Sequence, residues 1–436
     1  MNRRDFFRVA GSGAAFFAMT GCCMAERRSR SGRRGKPNIV LIMADDIGYE
    51  CFGCYGSEMY KTPVIDGLAR TGMRFDHCYS QPLCTPSRVQ LMTGKYNFRN
   101  YKAFGILDPN ETTFAHLLKK SGYATCVVGK WQLYGSSLEK RSSQGKGSYP
   151  GQAGFDEHCL WQIERRDSRY RDPLIVENGK YRDDLKGRYG PDVFCDYALD
   201  FIERKKNEPF LLYFPMALVH APFVPTPDSK DWADAQDKPN KKYFADMVTY
   251  MDKIVGRIVN KLDQFGLRDN TLILFTGDNG TARGIQSRLG DRIVQGGKGL
   301  TTDAGTHVPL VANWKGTTPT AVCDDLVDFT DFLPTLAQTT GAVVPDSLKT
   351  DGRSFFPQLC GKRGDPREWV FCHYFRDPGN PVKRFARDKR WKLYQNGRLF
   401  DLQSDPLEEK SMKQSEDNSE TAAVRTRLQA VLDSLR

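Results

Sequence analysis

The 436-residue chain shows no internal repeat and no apolar run long enough to cross a bilayer, which sets aside solenoid folds and helical membrane spans. A disulfide framework is also missing. Of the twelve cysteines, Cys22 and Cys23 fall near the N-terminus and Cys84 stands apart. The other nine are odd in number and irregularly spaced, unlike a cross-linked secreted scaffold. Cys51-Phe-Gly-Cys54 is a CxxC without a matching second pair for zinc and without a redox-fold context, so we assign it no function. The folded body also lacks a basic excess. Net charge is +11, but residues 1–36 carry nine Lys/Arg against Asp5 and Glu26, a net +7. Only +4 is left for the other 400 residues, so nothing in the charge balance calls for nucleic acid.

What the chain does have begins at that basic segment. Asn2-Arg3-Arg4-Asp5-Phe6-Phe7-Arg8 looks like a twin-arginine export motif, and a short, weakly apolar run from Val9 to Thr20 follows it. Met19-Thr20-Gly21-Cys22 resembles a lipobox, with Cys22 the acylated residue; cleavage near Ala25 without a lipid is the alternative. Residues 1–25 are therefore expected to be an export signal, and 26–36 a basic, solvated linker. The expected partners are the twin-arginine export machinery and a membrane lipid anchor. The expected location is periplasmic, or tethered on the outer side of the cytoplasmic boundary.

From Pro37 the pattern alternates strand and helix. Asn38–Ala44 is a continuous apolar run suited to a buried parallel strand. Further strands are expected at Met73–Cys78, Tyr123–Val128, Phe210–Phe214, Thr271–Thr276 and Val308–Ala312. Helices are expected at Thr62–Thr71, Thr112–Lys120, Val193–Lys205, Tyr243–Phe265 and Phe329–Thr340. This order implies an α/β fold with a mainly parallel central sheet flanked by helices. Residues 135–190, rich in Gly, Ser and charge, read as a long surface excursion where substrate contacts lie. The domain is taken as 37–345. Residues 346–436 form a smaller α+β part, with a hairpin around Asn396-Gly397 and a terminal helix at Thr421–Leu435.

Four polar groups follow directly on expected strands: Asp45-Asp46, Lys130, His220 and Asp278-Asn279. In an open parallel sheet the carboxyl ends of the strands line one crevice, and ligands bind there. Asp45, Asp46, Asp278 and Asn279 supply hard oxygen donors that suit Ca²⁺ or Mg²⁺ better than zinc, although either pair alone also reads as a turn or a helix cap. Arg88, Lys130 and Lys298 are cations for an anionic substrate group. His220 is a general-acid candidate or a hydrogen-bonded structural histidine. Cys84 sits in Pro82–Gly94 with Thr85 as expected N-cap, Pro86 at the first helical position and Gly94 as the stop. A helix start attracts anions and favours thiolate-type chemistry there.

Cys84-Thr-Pro86-Ser87-Arg88, continuing through Leu91, Thr93 and Gly94, resembles the sulfatase signature C-x-P-S-R-x-x-L-x-T-G. The Asp45-Asp46 segment, Gly129-Lys130-Trp131, the His220 segment, Thr276-Gly-Asp278-Asn279-Gly280 and Gly297-Lys298-Gly299 follow in that family's order, across residues 37 to 345. The resemblance is to formylglycine-dependent, arylsulfatase-like enzymes of the alkaline phosphatase-like superfamily. It implies a sulfuric ester hydrolase acting on a sulfate ester, with a sulfated carbohydrate as the expected substrate. It implies that a separate formylglycine-generating enzyme converts Cys84, and that the hydrated aldehyde attacks sulfur. It further implies calcium held by Asp45, Asp46, Asp278, Asn279 and the modified Cys84. Arg88 would orient the hydrate, Lys130 and Lys298 would bind sulfate oxygens, and His220 would assist the leaving oxygen.

Two positions depart from the family's commonest pattern. Gln132 stands where many members have His, and His307 where many have Arg. Gln132 can hydrogen-bond the hydrate but cannot take its proton. His307 is a candidate for substrate binding or proton transfer. A phosphate or phosphonate ester hydrolase of the same superfamily is the main alternative. An inactive glycan-binding lipoprotein is the second. A cysteine phosphatase does not fit, because its loop places Arg six positions after Cys, whereas Arg88 is four after Cys84.

Overall fold

The computed structural model describes residues 35–234 and 238–435. The export motif, Cys22 and nearly all of the basic linker lie outside the described residues. Sixteen strands are described. β1 is Asn38–Ala44, β2 Met73–Tyr79, β3 Ala124–Lys130, β4 Glu157–Trp161, β5 Ile175–Glu177 and β6 Lys180–Tyr181. β7 is Phe210–Pro215, β8 Thr271–Gly277, β9 Gln286–Leu289, β10 Arg292–Gln295, β11 His307–Asn313 and β12 Ala321–Asp328. The C-terminal part adds β13 Val370–Tyr374, β14 Lys383–Arg387, β15 Trp391–Tyr394 and β16 Leu399–Asp401.

Ten strands form the main sheet in the order β12-β2-β11-β8-β1-β7-β3-β4-β5-β6. Its centre, β8-β1-β7-β3-β4, is a continuous parallel run. β11 lies antiparallel between β2 and β8, and β5 and β6 close the far edge antiparallel. The expected α/β class and flanked sheet are present, with this mixed margin added. β1 is buried along its whole length, as a central strand covered on both faces must be. Val40, Ile42 and Ala44 enter the layer shared with helices Gly190–Arg204 and Tyr243–Gln264. Ile39, Leu41 and Met43 enter the opposite layer, with helices Phe114–Lys120 and Phe332–Thr340. The period-two alternation thus feeds two cores from one strand.

Three sequence expectations need correction. Thr85 is not the N-cap: the helix is Cys84–Thr93, Leu83 precedes it, and the Thr85 hydroxyl accepts from the Gly105 N–H instead. Cys84 is therefore the first helical residue. Residues 135–190 are not only a surface excursion, because they carry β4, whose last four residues are buried beside β3. β12 was not anticipated; its exposed first half and Asp324-Asp325 hid it from a search for apolar runs. The C-terminal sheet β13-β14-β15-β16 is antiparallel, with the β15–β16 turn at Asn396-Gly397 as expected, and residues 35–436 form one compact unit. Lys392 of β15 donates to the Thr301 carbonyl (2.7 Å), as does the Tyr394 hydroxyl (3.0 Å), so this small sheet holds the loop that carries Lys298.

Gly129, one residue before Lys130, has φ of 118°, and a Cβ there would lie 2.1 Å from the Pro215 carbonyl oxygen of β7. No side chain fits without parting β3 from β7. Gly129→Ala is expected to lower unfolding stability by about 2 kcal/mol or more. Chemical denaturation checks this, and an unchanged midpoint and slope would contradict it.

Candidate active site

Four of the five parallel strands deliver the expected functional residues to one end of the sheet. Asp45 and Asp46 follow β1, Lys130 ends β3, His220 follows β7, and Asp278 and Asn279 follow β8. Asp46 takes a left-handed backbone (φ 60°), which turns its N–H toward Asp278 Oδ1 at 3.0 Å. The Asp278 N–H donates to the Ala44 carbonyl (2.9 Å), joining the ends of β1 and β8.

The charges are paired and buried. Lys130 Nζ donates to both oxygens of Asp45, at 2.8 and 3.1 Å. Arg88, one turn into the Cys84 helix, donates to Asp278 Oδ2 (3.1 Å) and to the Lys130 carbonyl (2.9 Å). Lys298 pairs with Asp46 and donates to His220 Nε2 at 2.9 Å. Since Nε2 accepts, the ring proton belongs on Nδ1, which lies 2.6 Å from the Ala221 carbonyl. Burial lowers the His220 pKa to about 3 despite Asp46 and Asp45, so the ring is neutral at physiological pH. Burial works against the Asp45 charge, yet Lys130 above all holds that carboxyl well below its usual range. Asp278 is pushed up to about 7 by burial and by the Asp45 charge, against Arg88 and Lys130.

Cys84 is 1% exposed, and its Sγ donates to Gln132 Oε1 at 3.0 Å. Gln132 has φ of 54°, and its N–H is bound by the Gln162 carbonyl at 3.0 Å. Burial raises the Cys84 pKa; Lys130 opposes this, while Asp278 and Asp45 add to it. The thiolate chemistry expected from a helix start is thus corrected: desolvation outweighs the helix end.

The residues present fit a hard divalent cation. Asn279 Nδ2 donates to Asp46 Oδ1 (3.0 Å), while its buried Oδ1 has no hydrogen-bond partner. A buried acceptor without a donor, beside three carboxylates, is an oxygen set suited to Ca²⁺ or Mg²⁺. Asp45, Asp46 and His220 also bring one ligand atom each within 4.8 Å of one another. The His220 nitrogens are already taken by Lys298 and the Ala221 carbonyl, so the oxygen set Asp45, Asp46, Asp278 and Asn279 is the better cage.

Cys84, Lys130, Gln132, His220 and Lys298 line one cavity of about 200 Å³. His307 does not line it. Its Nδ1 meets Asp303 (3.2 Å), its Nε2 meets the Asp76 carbonyl (2.9 Å), and its ring stacks on Tyr49 at 3.9 Å. The expectation that His307 touches substrate therefore has no support in the geometry. Cys51 and Cys54 are free thiols, as are all ten cysteines of the described residues. The sequence reading missed other residues on the cavity wall, among them Trp161, Arg166, Arg169 and Arg376. The first lies at the end of the unpredicted β4, and both Arg166 and Arg169 lie in the loop after it. The only signal was the Arg-rich stretch Glu164–Arg171, which carries no spacing rule.

Residues 37–342 match the sulfatase family, and residues 297–436 match the family described as N-sulphoglucosamine sulphohydrolase, C-terminal. The chain belongs to the sulfatase family. Human arylsulfatase D is 30% identical over 450 residues, covering 82% of this chain and 74% of that protein. Mouse arylsulfatase G is 31% identical over 406 residues, covering 82% and 75%. Among solved structures, Ps i-CgsB in complex with k-i-k-neocarrahexaose superposes with a TM-score of 0.77 at 26% identity, covering 92% of each chain. The sulfatase is thereby a sulfuric ester hydrolase, with the fold and the enzyme class that the motif order implied.

The oxygen cage makes a binding prediction that needs no turnover. Calcium added to chelator-treated sulfatase is expected to raise the thermal midpoint by a few degrees, since a ligand that binds only the folded state stabilises it. Asp46→Ala is expected to abolish the rise. An equal rise in that variant would contradict the cage.

Proposed function

We propose that this sulfatase hydrolyses a sulfate ester on a sulfated carbohydrate, with position 84 matured to formylglycine and calcium held by Asp45, Asp46, Asp278 and Asn279. The observation that carries the reading is the setting of Cys84: a buried side chain on the wall of a cavity that also presents Lys130, Lys298 and His220. The carbohydrate is supported by the oligosaccharide complex of a structural relative at 26% identity. Oxidised and hydrated, position 84 would supply a geminal diol as nucleophile, and calcium, when bound, would supply positive charge beside the sulfate group.

The other steps belong to this chain's own groups. Lys130 and Lys298 bind sulfate oxygens, and their carboxylate partners hold them in place. Burial works against the Lys298 charge, but Asp46, Cys84 and Asp45 together more than offset it, and the Lys298 pKa is raised. Arg88 is fixed by Asp278 and the Lys130 carbonyl, one helical turn from position 84, and orients the nucleophile. Neutral His220 accepts a hydrogen bond at Nε2 from the Lys298 ammonium, so Lys298, positioned by His220, carries the proton that is given to the leaving oxygen. Gln132 accepts from the side chain of position 84 and aligns it without acting as a base. The export route proposed is twin-arginine, with maturation by the formylglycine-generating enzyme before export and Cys22 as the lipid anchor.

Relative kcat/KM on 4-nitrophenyl sulfate and 4-nitrophenyl phosphate tests the reaction. Sulfate is expected to be preferred at least about tenfold, or about 1.4 kcal/mol in transition-state binding. Lys130→Ala is expected to lower kcat/KM for the sulfate by about a hundredfold or more. A phosphate preference, or full activity in Lys130→Ala, would overturn the reading.

A further inference from the structure

The cavity around Cys84 holds more positive charge than one sulfate group uses. Among its described lining residues are five cations and no carboxylate. Lys130 and Lys298 are already matched by Asp45 and Asp46 behind the wall. The remaining three, Arg166, Arg169 and Arg376, come from other parts of the chain, and of these Arg376 has a carboxylate of its own in Asp377 at 3.6 Å.

Arg169 is the informative one. It is 4% exposed, no described carboxylate pairs with it, and its NH1 has no hydrogen-bond partner. Its guanidinium carbon lies over the Trp161 indole, 4.0 Å from the ring centroid. Trp161 ends β4 and is in register with Lys130 on β3. The loop is tied to the catalytic side as well: the Tyr170 hydroxyl donates to the Ala217 carbonyl (3.0 Å) and lies against the His220 carbonyl. Arg166 also lies over Trp161, at 5.8 Å. Arg376 reaches in from the loop after β13 and lies over Phe104 at 4.7 Å.

A buried guanidinium without an anion is costly, and a folded protein retains one where a ligand completes it. The planar fork matches the paired oxygens of sulfate or carboxylate, and the indole face beside it favours the cation at that place. We propose that Arg169, flanked by Arg166 and Arg376, binds a second anionic group of the same substrate, a sulfate or carboxylate on the sugar next to the scissile ester. The inference rests on the sulfated-carbohydrate reading above and narrows it: the preferred substrate carries at least two negative charges close together. Burial lowers the Arg169 pKa, and the more distant charges of Asp45 and Asp46 offset this only in part.

The test is binding to calcium-loaded Cys84→Ala protein by calorimetry, so that loss of turnover does not enter. The probes are benzenesulfonate, benzene-1,3- and 1,4-disulfonate, and 3- and 4-sulfobenzoate. At least one dianion is expected to bind about tenfold more tightly than benzenesulfonate, the scale of a charged hydrogen bond. Arg169→Gln is expected to bring that ratio close to one. Arg166→Gln, at an exposed position, is expected to lower it without risk to the fold. The disulfonate and sulfobenzoate arms show which anion is preferred. Dianions no tighter than benzenesulfonate, no binding by any probe, or a ratio unchanged in both variants would overturn the proposal. Failure of the sulfate-over-phosphate preference, measured separately, would remove the reaction and leave this result standing.

Discussion

The buried pairing of Asp45 with Lys130 is the contact on which the site depends. Both side chains are almost wholly removed from water, at the ends of β1 and β3, with β7 between them. Burying either charge alone would cost several kcal/mol, so each requires the other. The same logic extends outward. Arg88 balances Asp278, Lys298 balances Asp46, and Asn279 orients Asp46 through its amide. A network of this kind does little for net stability, because desolvation offsets most of the Coulombic gain. What it does is fix positions. Carboxylates on one side and ammonium groups on the other are held still before a substrate enters, which is the condition for stabilising charge that develops during reaction.

The backbone makes those positions possible. Gly129 lets β3 approach β7 closely enough for Lys130 to reach Asp45, and the left-handed turn at Asp46 directs its N–H to Asp278. The small C-terminal sheet, through Lys392 and Tyr394, secures the loop of Lys298. The cation that completes the Asp46 pair thus depends on a part of the chain about a hundred residues away in sequence.

Much of this was legible in the residues. β1 was readable because a strand buried on both faces needs an unbroken apolar run, and the polar pairs after β1 and β8 stood out against it. The order of motifs around Cys84 carried the enzyme class. Three things were not legible. The Cys84 thiol reads as activated from its helix position alone, whereas its enclosure by Leu83, Phe104 and Trp161 is a tertiary fact. His307 reads as a site residue because it lies near Lys298 in sequence, but the end of β11 turns it toward Asp303 and Tyr49. β4 was missed because it is five residues long within a Gly- and Ser-rich stretch. With it went Trp161 and the arginines that follow.

The account stands on what position 84 is in the mature protein. A buried, protonated thiol hydrogen-bonded to Gln132 is a poor nucleophile; an aldehyde hydrate in the same place, in a cavity that also presents Lys130 and Lys298, is a good one. Mass spectrometry of the peptide spanning Cys84, from protein made in its native host, decides between them. The account predicts replacement of sulfur by oxygen with loss of two hydrogens at that residue. An unmodified cysteine in every molecule of an active preparation would contradict it.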